Sequence, residues 1–380
     1  MRTKLRPNER IASLPDYNAG LNLEQARLLS GCETVAALAS NENPYGCSPL
    51  VLEMLGSRRF DPSRYSDPNC TALRSALSAS LGVPEELIVA GNGSEELIAA
   101  ISRGFLVEGA KSTTVAPSFG LHEIDPLAAG GVVAKVPMTS QMSFDVDALE
   151  AELAAAPALF FLPSPSNPVG PALTSEEMAR LVRATRPQTL FVLDQAYIEF
   201  VADGYPDGLS LLGRPNFNCV LLRTFSKAYG LAGLRVGYAI CSDRAIARVV
   251  AKAKPPFNVN AAAQMAAIAA LSDQEWMKSA VTRVVAERGR LASRLSALGL
   301  RVADSQTNFL FFRTAMPGTT LAESLLKDGI VVKPWREAGY TNWSRVTVGT
   351  PAENDRFLAS VANIIGGSHT EMSSYDLDRY

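Results

Sequence analysis

The most informative segment of the chain runs Arg223-Thr-Phe-Ser-Lys-Ala-Tyr-Gly-Leu-Ala-Gly-Leu-Arg-Val-Gly-Tyr238. The apolar run at residues 220–224 is typical of a buried strand, and Lys227 follows it in a loop rich in serine and glycine. Open α/β sheets bind ligands at the carboxyl ends of their strands, so a lysine here is expected at the mouth of a ligand site. Position alone leaves a solvated surface lysine as an equal alternative.

Outward from this segment, helices and strands alternate between about residues 69 and 241. Helices are predicted for the amphipathic run at 70–81 and from about Ser94, and Thr174 with Glu177 forms a capping box that starts another. Short apolar runs predict strands at 87–90, 112–116, 158–162, 189–193, 220–224 and 236–241. This alternation predicts a largely parallel sheet covered by helices on both faces.

The C-terminal part is predicted to form a smaller α+β domain. An alanine-rich helical connector at 258–298 leads to strands at 308–312 and 345–348, and to helices at 321–327 and 352–364. We therefore expect four parts: an N-terminal arm at 1–45 that packs with the small domain, a large domain at 46–257, the connector and small domain at 258–365, and a frayed polar tail at 366–380.

Composition excludes several classes of function. Of the 380 residues 47% are hydrophobic, and 36 basic against 38 acidic side chains leave a charge of −2, so no footprint for nucleic acid or anionic lipid is expected. No stretch reaches the ~18 apolar residues of a membrane helix. Five scattered cysteines without a C-x-x-C pair are typical of reduced thiols in a cytoplasmic protein. With only His122 and His369, no metal site is expected, and an acid–base group is expected to be lysine, tyrosine or a carboxylate.

Polar residues lie at the ends of several predicted strands, and their types differ in an informative way. Asp194 ends one apolar strand and could hold a ring nitrogen protonated, while Asn167 and Tyr197 could donate hydrogen bonds to a phenolic oxygen. Phe119 could stack on a ring. Backbone N–H groups at Gly93, Ser94 and Glu95 would meet an anion at a helix N-terminus, and Ser226 and Arg235 could add a hydroxyl and a positive charge. Together with Lys227, these groups meet the separate demands of pyridoxal phosphate.

Each of these features is weak alone, but their joint order resembles the fold-type I aminotransferases, and within them the histidinol-phosphate aminotransferase family. The resemblance covers nearly the whole chain. It is carried by Pro15-Asp-Tyr-Asn-Ala-Gly20, Ala39-Ser-Asn-Glu-Asn-Pro-Tyr-Gly46, Arg64-Tyr65, Gly91-Asn-Gly-Ser-Glu-Glu96, Ser164-Pro-Ser-Asn-Pro168, Asp194-Gln-Ala-Tyr-Ile-Glu-Phe200, Thr224-Phe-Ser-Lys-Ala-Tyr-Gly-Leu-Ala-Gly-Leu-Arg235 and Arg345-Val-Thr-Val-Gly-Thr350. It implies an α/β fold of that type, with a large mostly parallel-sheet domain that binds pyridoxal phosphate and a smaller α+β domain.

The resemblance also implies residue roles. Lys227 would form the Schiff base with the cofactor, Asp194 would pair with the pyridinium, and Asn167 and Tyr197 would bind the phenolic oxygen. The phosphate would be held by Gly93, Ser94, Glu95, Ser226 and Arg235, and by Tyr65 of the other subunit, which implies a homodimer with shared sites. The substrate residues would be Tyr17, Asn43, Lys333 and Arg345, of which Arg345 binds the anionic end.

Two positions depart from the family pattern. Gln195 stands where the family usually has glutamate, beside the pyridinium partner but not itself that partner. Lys333 stands where the family usually has a second arginine for the substrate phosphate. Because lysine lacks the planar fork of arginine, the second departure bears directly on substrate choice.

The expected reaction is a ping-pong transamination in which Lys227, freed by the incoming amine, acts as the base. Burial beside Arg235 and a cationic ring should lower its pKa from the usual ~10.4. We expect histidinol phosphate as donor and 2-oxoglutarate as acceptor. An aromatic amino acid is the main alternative donor because Trp335, Tyr340 and Trp343 lie near Lys333. A related phospho-amino-acid decarboxylase ranks lower. The ligand-sensing half of a transcription regulator would need a DNA-binding module, for which the roughly 45 residues of the arm leave no room.

Overall fold

The computed structural model describes residues 5–57 and 60–375. In chain order the strands are β1 (Ala36–Ala37), β2 (Ile88–Gly91), β3 (Lys111–Ala116), β4 (Val132–Pro137), β5 (Leu159–Pro163), β6 (Leu190–Asp194), β7 (Asn218–Thr224), β8 (Gly237–Cys241), β9 (Arg301–Val302), β10 (Phe309–Arg313), β11 (Ile330–Val331), β12 (Lys333–Pro334) and β13 (Trp343–Thr347). The helices are α1 (Glu9–Ala12), α2 (Leu23–Ser30), α3 (Pro49–Gly56), α4 (Thr71–Leu81), α5 (Gly93–Phe105), α6 (Leu121–Ala128), α7 (Val146–Ala154), α8 (Ser175–Ala184), α9 (Arg244–Ala253), α10 (Ala261–Ser272), α11 (Gln274–Ala297), α12 (Gly318–Lys327) and α13 (Pro351–Tyr375).

The main sheet has seven strands in the order β2-β8-β7-β6-β5-β3-β4. Only β8 runs against the others, because it pairs antiparallel with both β2 and β7. The predicted α/β fold class with a largely parallel sheet is therefore confirmed. The sequence analysis missed β4, an edge strand whose side chains are mostly half-buried or exposed and which includes Lys135. Its apolar signal is weaker than that of the central strands.

Helices cover both faces of this sheet, which is why its strands read as continuous apolar runs. Side chains alternate along β7: Val220 and Leu222 face one apolar cluster with α5 and α9, while Cys219 and Leu221 face another. Both clusters are buried. The predicted capping box starts α8, where Glu177 N–H donates to Thr174 Oγ1 at 3.2 Å. Helix α8 thus begins where its local sequence predicts.

A second, antiparallel sheet has the order β12-β13-β10-β9 and packs with α11, α12 and α13. The N-terminal segment joins this part of the molecule because β1 pairs in parallel with β11. The predicted connector is two helices, α10 and α11, with Asp273 between them as the N-cap of α11. Register places Lys333 of β12 directly opposite Arg345 of β13. Two cations predicted to bind substrate are therefore neighbours in the sheet.

Helix α13 reaches Tyr375, beyond residue 364 where the sequence analysis ended it. Residues 376–380 of the tail predicted to fray lie outside the described residues. Across 5–57 and 60–375, no helix has the length and apolarity to cross a membrane.

Candidate active site

A cavity of about 590 Å³ lies at the carboxyl ends of β5, β6 and β7, between the main sheet, the N-terminal segment and the strand pair β12–β13. Twelve of the residues predicted for the site line it: Tyr17, Ser94, Glu95, Phe119, Asn167, Asp194, Tyr197, Ser226, Lys227, Arg235, Lys333 and Arg345. The strand ends converge here because β5, β6 and β7 are adjacent and parallel, with Pro163 opposite Asp194. Gly93, Asn43 and Tyr65 do not line the cavity of their own chain.

Lys227 lies in the loop after β7, with its amine inside the cavity. Its Nζ donates to the Ser40 carbonyl at 3.1 Å and lies 5.9 Å from the centre of the Tyr197 ring. Burial lowers the pKa of Lys227 to about 7, assisted by the charge of Arg345 and opposed by that of Glu42. The sequence analysis predicted this direction but named Arg235 as the neighbouring charge, whereas Arg345 contributes more. An amine with this pKa is largely neutral, and hence nucleophilic, just above pH 7.

Asp194 ends β6 with both carboxylate oxygens occupied. Oδ1 accepts from the Ala196 N–H at 3.0 Å, and Oδ2 lies 3.1 Å from Nε2 of His122. The other ring nitrogen of His122 lies 3.2 Å from Ser118 Oγ, so the hydroxyl can donate to Nδ1 while Nε2–H donates to Asp194. The histidine is fully buried and stacks on Phe161 at 5.3 Å. These two contacts fix the orientation of the Asp194 carboxyl group.

The contact of His122 with Asp194 was not predicted from the sequence, which gave His122 no role in the site. A local signal existed, because the loop Ser118–Gly120 leads straight into α6 and puts His122 in its first turn. Without the order β6-β5-β3 in the main sheet, however, nothing in the sequence relates His122 to Asp194.

The side chains of Asn167 and Tyr197 face the cavity beside Asp194 and can each donate a hydrogen bond. Arg345 Nη1 donates to Asn167 Oδ1 at 2.6 Å, which orients the amide so that its NH₂ is left to donate. Tyr197 Oη accepts from Asn41 Nδ2 at 2.8 Å, and burial raises the pKa of Tyr197 to about 12. Its hydroxyl proton therefore remains available as a second donor.

Asn41, which the sequence analysis did not select, lines the cavity, whereas the predicted Asn43 does not. Asn43 Nδ2 instead donates to the Ala228 carbonyl at 2.9 Å and supports the backbone beside Lys227. Asn41 has a left-handed backbone (φ 55°), held by its N–H to Thr347 Oγ1 at 2.9 Å and by Asn308 Nδ2 to its carbonyl at 2.9 Å. These long-range contacts place Asn41 at the cavity, although Asn41 and Asn43 look alike in the sequence.

An anion-binding end is built around the start of α5. This helix has no side-chain cap, and Ser94, Ser226 and Arg235 line the cavity beside it. Gly93 has φ 75°, and a Cβ there would lie 2.5 Å from Arg235 Nη2, so the glycine makes room for that guanidinium. Arg235 forms an ion pair with Glu95 at 3.2 Å. Free N–H groups at a helix start, a hydroxyl and a guanidinium form a suitable set of donors for a phosphate.

The opposite end carries Arg345 and Lys333. Arg345 is buried on β13; its Nη2 donates to the Ala39 carbonyl at 2.6 Å, and its Nε is buried with no hydrogen-bond partner in the described structure. Lys333 Nζ donates to the Asn18 carbonyl and lies 5.8 Å from the Tyr17 ring centre. Tyr17 in turn meets Phe119 edge to face at 6.2 Å. The N-terminal segment thus forms one wall of the cavity.

Comparison with known proteins places this site in a family. Residues 33–361 match the family model "Aminotransferase class I and II". Histidinol-phosphate aminotransferase 3 of Rhizobium meliloti (strain 1021) is 42% identical over 94% of this chain and 96% of that protein. The chain belongs to the histidinol-phosphate aminotransferase family. The histidinol-phosphate aminotransferase of Anaeromyxobacter sp. (strain Fw109-5) is 40% identical over 94% of this chain and 98% of its own length.

Solved structures agree with this family assignment. The histidinol-phosphate aminotransferase of Sinorhizobium meliloti, determined with pyridoxal 5′-phosphate, is 29% identical with a TM-score of 0.87, covering 96% of this chain and 99% of that one. Aspartate aminotransferase of Thermotoga maritima shares the fold at 21% identity, with a TM-score of 0.80 over 95% and 100% of the two chains. The protein is a pyridoxal-phosphate-dependent aminotransferase, so the predicted family, enzyme class and cofactor are confirmed.

The residues of this aminotransferase fit the cofactor. The uncapped start of α5 with Ser226 and Arg235 would hold its phosphate, and the Asp194 carboxyl group would pair with its ring nitrogen. Asn167 and Tyr197 would donate to its phenolic oxygen. The groups that line the cavity therefore match the phosphate, the ring nitrogen and the phenolic oxygen of pyridoxal phosphate.

Tyr65 and Gln195, two further positions named from the family resemblance, do not line this cavity. Tyr65 is 84% exposed and stacks on Phe257 with ring centres 4.6 Å apart. Gln195 is buried, and its Oε1 accepts from Arg223 Nη2 at 3.0 Å. The side chain that departs from the family pattern at position 195 therefore binds Arg223, away from the cavity.

Proposed function

We propose that this aminotransferase transfers the amino group of histidinol phosphate to 2-oxoglutarate, giving imidazole-acetol phosphate and glutamate, and so acts in histidine biosynthesis. The observation that carries the proposal is the pair Lys333 and Arg345, neighbours on β12 and β13 that both face the cavity. Together they offer two positive charges to the anionic end of a donor. The names of the relatives, which are 42% and 40% identical, support the same substrate.

The roles of the residues follow from the geometry. The bound cofactor supplies an electron sink next to the carbon that bears the amino group. Lys227, with its pKa near 7 through burial, would take the proton from that carbon and return it on the neighbouring side. Asp194, held in place by its contact with His122, would pair with the ring nitrogen and keep it protonated. Arg345 would orient the donor from the opposite end.

The alternative donor is an aromatic amino acid. Fewer of the aromatic residues named in its support lie at the cavity than the sequence suggested. Of the three aromatic residues named for it, only Trp335 lines the cavity. Trp343 is buried inside the small sheet, stacked on Phe311 at 4.8 Å, and the Tyr340 hydroxyl donates to the Ala116 carbonyl at 3.1 Å. Of the three aromatic residues near Lys333, therefore, Trp335 alone is placed to contact a phenyl ring in the cavity.

The proposal is tested by comparing histidinol phosphate with phenylalanine on the wild type and on Lys333→Arg. We expect the wild type to favour histidinol phosphate, and the variant to turn it over at least as fast, since a phosphate dianion can use the added fork. Faster turnover of phenylalanine by the wild type, with no response of histidinol phosphate to the substitution, would reject this substrate and leave the aminotransferase class standing.

The proposal includes a homodimer with shared sites, in which Tyr65 reaches the cofactor phosphate of the partner. Its support is the exposure of Tyr65 and its absence from its own cavity. An apolar groove between α3 and α10, lined by residues such as Leu50, Met54, Met265 and Ile268, offers a surface for a second copy.

We further propose that the protein acts in the cytoplasm. We also propose the division of the chain into the four parts predicted from its sequence. All five cysteines are free, which suits a reducing compartment. The pairing of β1 with β11 supports an arm at 1–45 that packs with the small domain, and the main-sheet strands all lie within 46–257.

A further inference from the structure

Within the part of the chain whose side chains are described, four cations that line the cavity have no acidic partner: Lys227, Lys333, Arg336 and Arg345. No carboxylate oxygen of residues 5–57 and 60–366 lies within 4.0 Å of their nitrogens, whereas other cavity cations are paired, Arg235 with Glu95 at 3.2 Å and Lys135 with Glu123 at 3.0 Å. Three of the four unpaired cations, at 333, 336 and 345, come from β12, β13 and the loop between them. Positive charge is therefore uncompensated at this end of the cavity.

Arg336 was not selected by the sequence analysis and matches no motif quoted there. It is exposed, and in the described structure its guanidinium makes no hydrogen bond. The residues around it are anchored: Trp335 N–H donates to the Trp343 carbonyl at 2.9 Å, Glu337 lies 3.3 Å from Lys135 Nζ, and Tyr340 donates to the Ala116 carbonyl at 3.1 Å. The loop thus holds the backbone of Arg336 at the cavity while its charged group stays free to meet a ligand.

The charges at this end also act on one another. Burial, followed by the positive charges of Arg345 and then Arg336, lowers the pKa of Lys333 to about 8. A ligand with one negative charge offsets one of these three cations. A phosphate ester carries close to two charges at neutral pH and has three acceptor oxygens, so it can engage more of them.

We propose that Arg336 supplies, from the loop after β12, the guanidinium that position 333 lacks, and that it favours donors ending in a phosphate dianion over donors ending in a single carboxylate. This inference rests on the proposed function and names a substrate-binding residue for it. Lys333 and Arg336 together then take the role of the second arginine that the family usually has at position 333. Lys333 supplies a point charge beside Arg345, and Arg336 supplies a planar fork from the rim of the cavity.

The test uses the holoenzyme and its Arg336→Ala variant. We expect KM for histidinol phosphate to rise about 3- to 10-fold, because an exposed charge is partly screened, while kcat changes little. The inhibition constant of inorganic phosphate should rise by a similar factor, and that of 3-phenylpropionate, a monocarboxylate, by less than about twofold. The matched control is Arg313→Ala, which removes an exposed arginine of β10 that does not line the cavity and should change none of these constants.

A rescue variant separates a fork at this site from a general charge effect. Lys333→Arg combined with Arg336→Ala should recover most of the lost affinity for histidinol phosphate. The inference is overturned if Arg336→Ala leaves the phosphate constants within about twofold, or weakens phosphate and 3-phenylpropionate equally. Failure of the proposed function looks different, because the wild type would then not turn over histidinol phosphate. The two inhibition constants, measured with whichever donor is used, would still decide the role of Arg336.

Discussion

The amine of Lys227 should be reactive near neutral pH in protein freed of its cofactor. Burial and Arg345 lower its pKa to about 7, against ~10.4 for a free lysine. At pH 8 roughly nine-tenths of such an amine is neutral, compared with roughly 0.4% of a free one. Since only the neutral amine attacks an aldehyde, Lys227 should present roughly 200 times more reactive amine at this pH.

The assay follows absorbance as the apoprotein captures pyridoxal phosphate between pH 6 and 9.5. The rate should rise through pH 7 and level off above about pH 8, while the reference amine Nα-acetyl-lysine keeps accelerating. Glu42→Gln should move the midpoint to lower pH, because the charge of Glu42 raises the pKa of Lys227. Glu176→Gln, an exposed control outside the cavity, should leave it in place. A wild-type rate that climbs without a plateau to pH 9.5 would refute the reasoning.

Three further predictions concern the same site. Lys227→Ala should abolish turnover while the protein keeps its thermal midpoint and retains the cofactor non-covalently on gel filtration; borohydride tagging of another lysine in the wild type would contradict the assignment. Mixed dimers of Lys227→Ala with an impaired Tyr65→Phe subunit should regain one intact site, and verified heterodimers without recovery would mean that each subunit is self-contained. His122→Phe should lower kcat/KM about 10- to 150-fold, since a hydrogen bond to a charged group contributes about 1.5–3 kcal/mol, and His122→Gln, which keeps an N–H donor, should lose less; equal losses would exclude the hydrogen bond to Asp194 as the cause.

Local sequence was sufficient for most of the scaffold. The central strands β5, β6 and β7 are buried on both faces, so each is an uninterrupted apolar run that the sequence shows directly. The edge strand β4 was missed because half-buried and exposed side chains weaken the signal. The positions of Lys227 and Asp194 at the cavity were predictable for a related reason, since Asp194 ends one buried parallel strand and Lys227 follows another, where ligand sites form.

Residues that act through another residue were not predictable in this way. Asn41 and Asn43 are the same residue type in similar local sequence. Only contacts with Thr347 and Asn308 turn Asn41 toward Tyr197. The same holds for Arg336, whose place at the cavity depends on anchors in β3 and β4 far away in the chain.

The sequence by itself determined the α/β class and the cofactor, and it predicted Lys227 and Asp194 as residues of the cofactor site, because each of these depends on short-range pattern and residue type. Tertiary structure alone decided that His122 buttresses Asp194, that Arg345 sets the orientation of Asn167, and that three unpaired cations meet at one end. The physical reason is that hydrogen bonds and charges act through space. They depend on strand register and on loop anchoring, which join residues more than 70 positions apart.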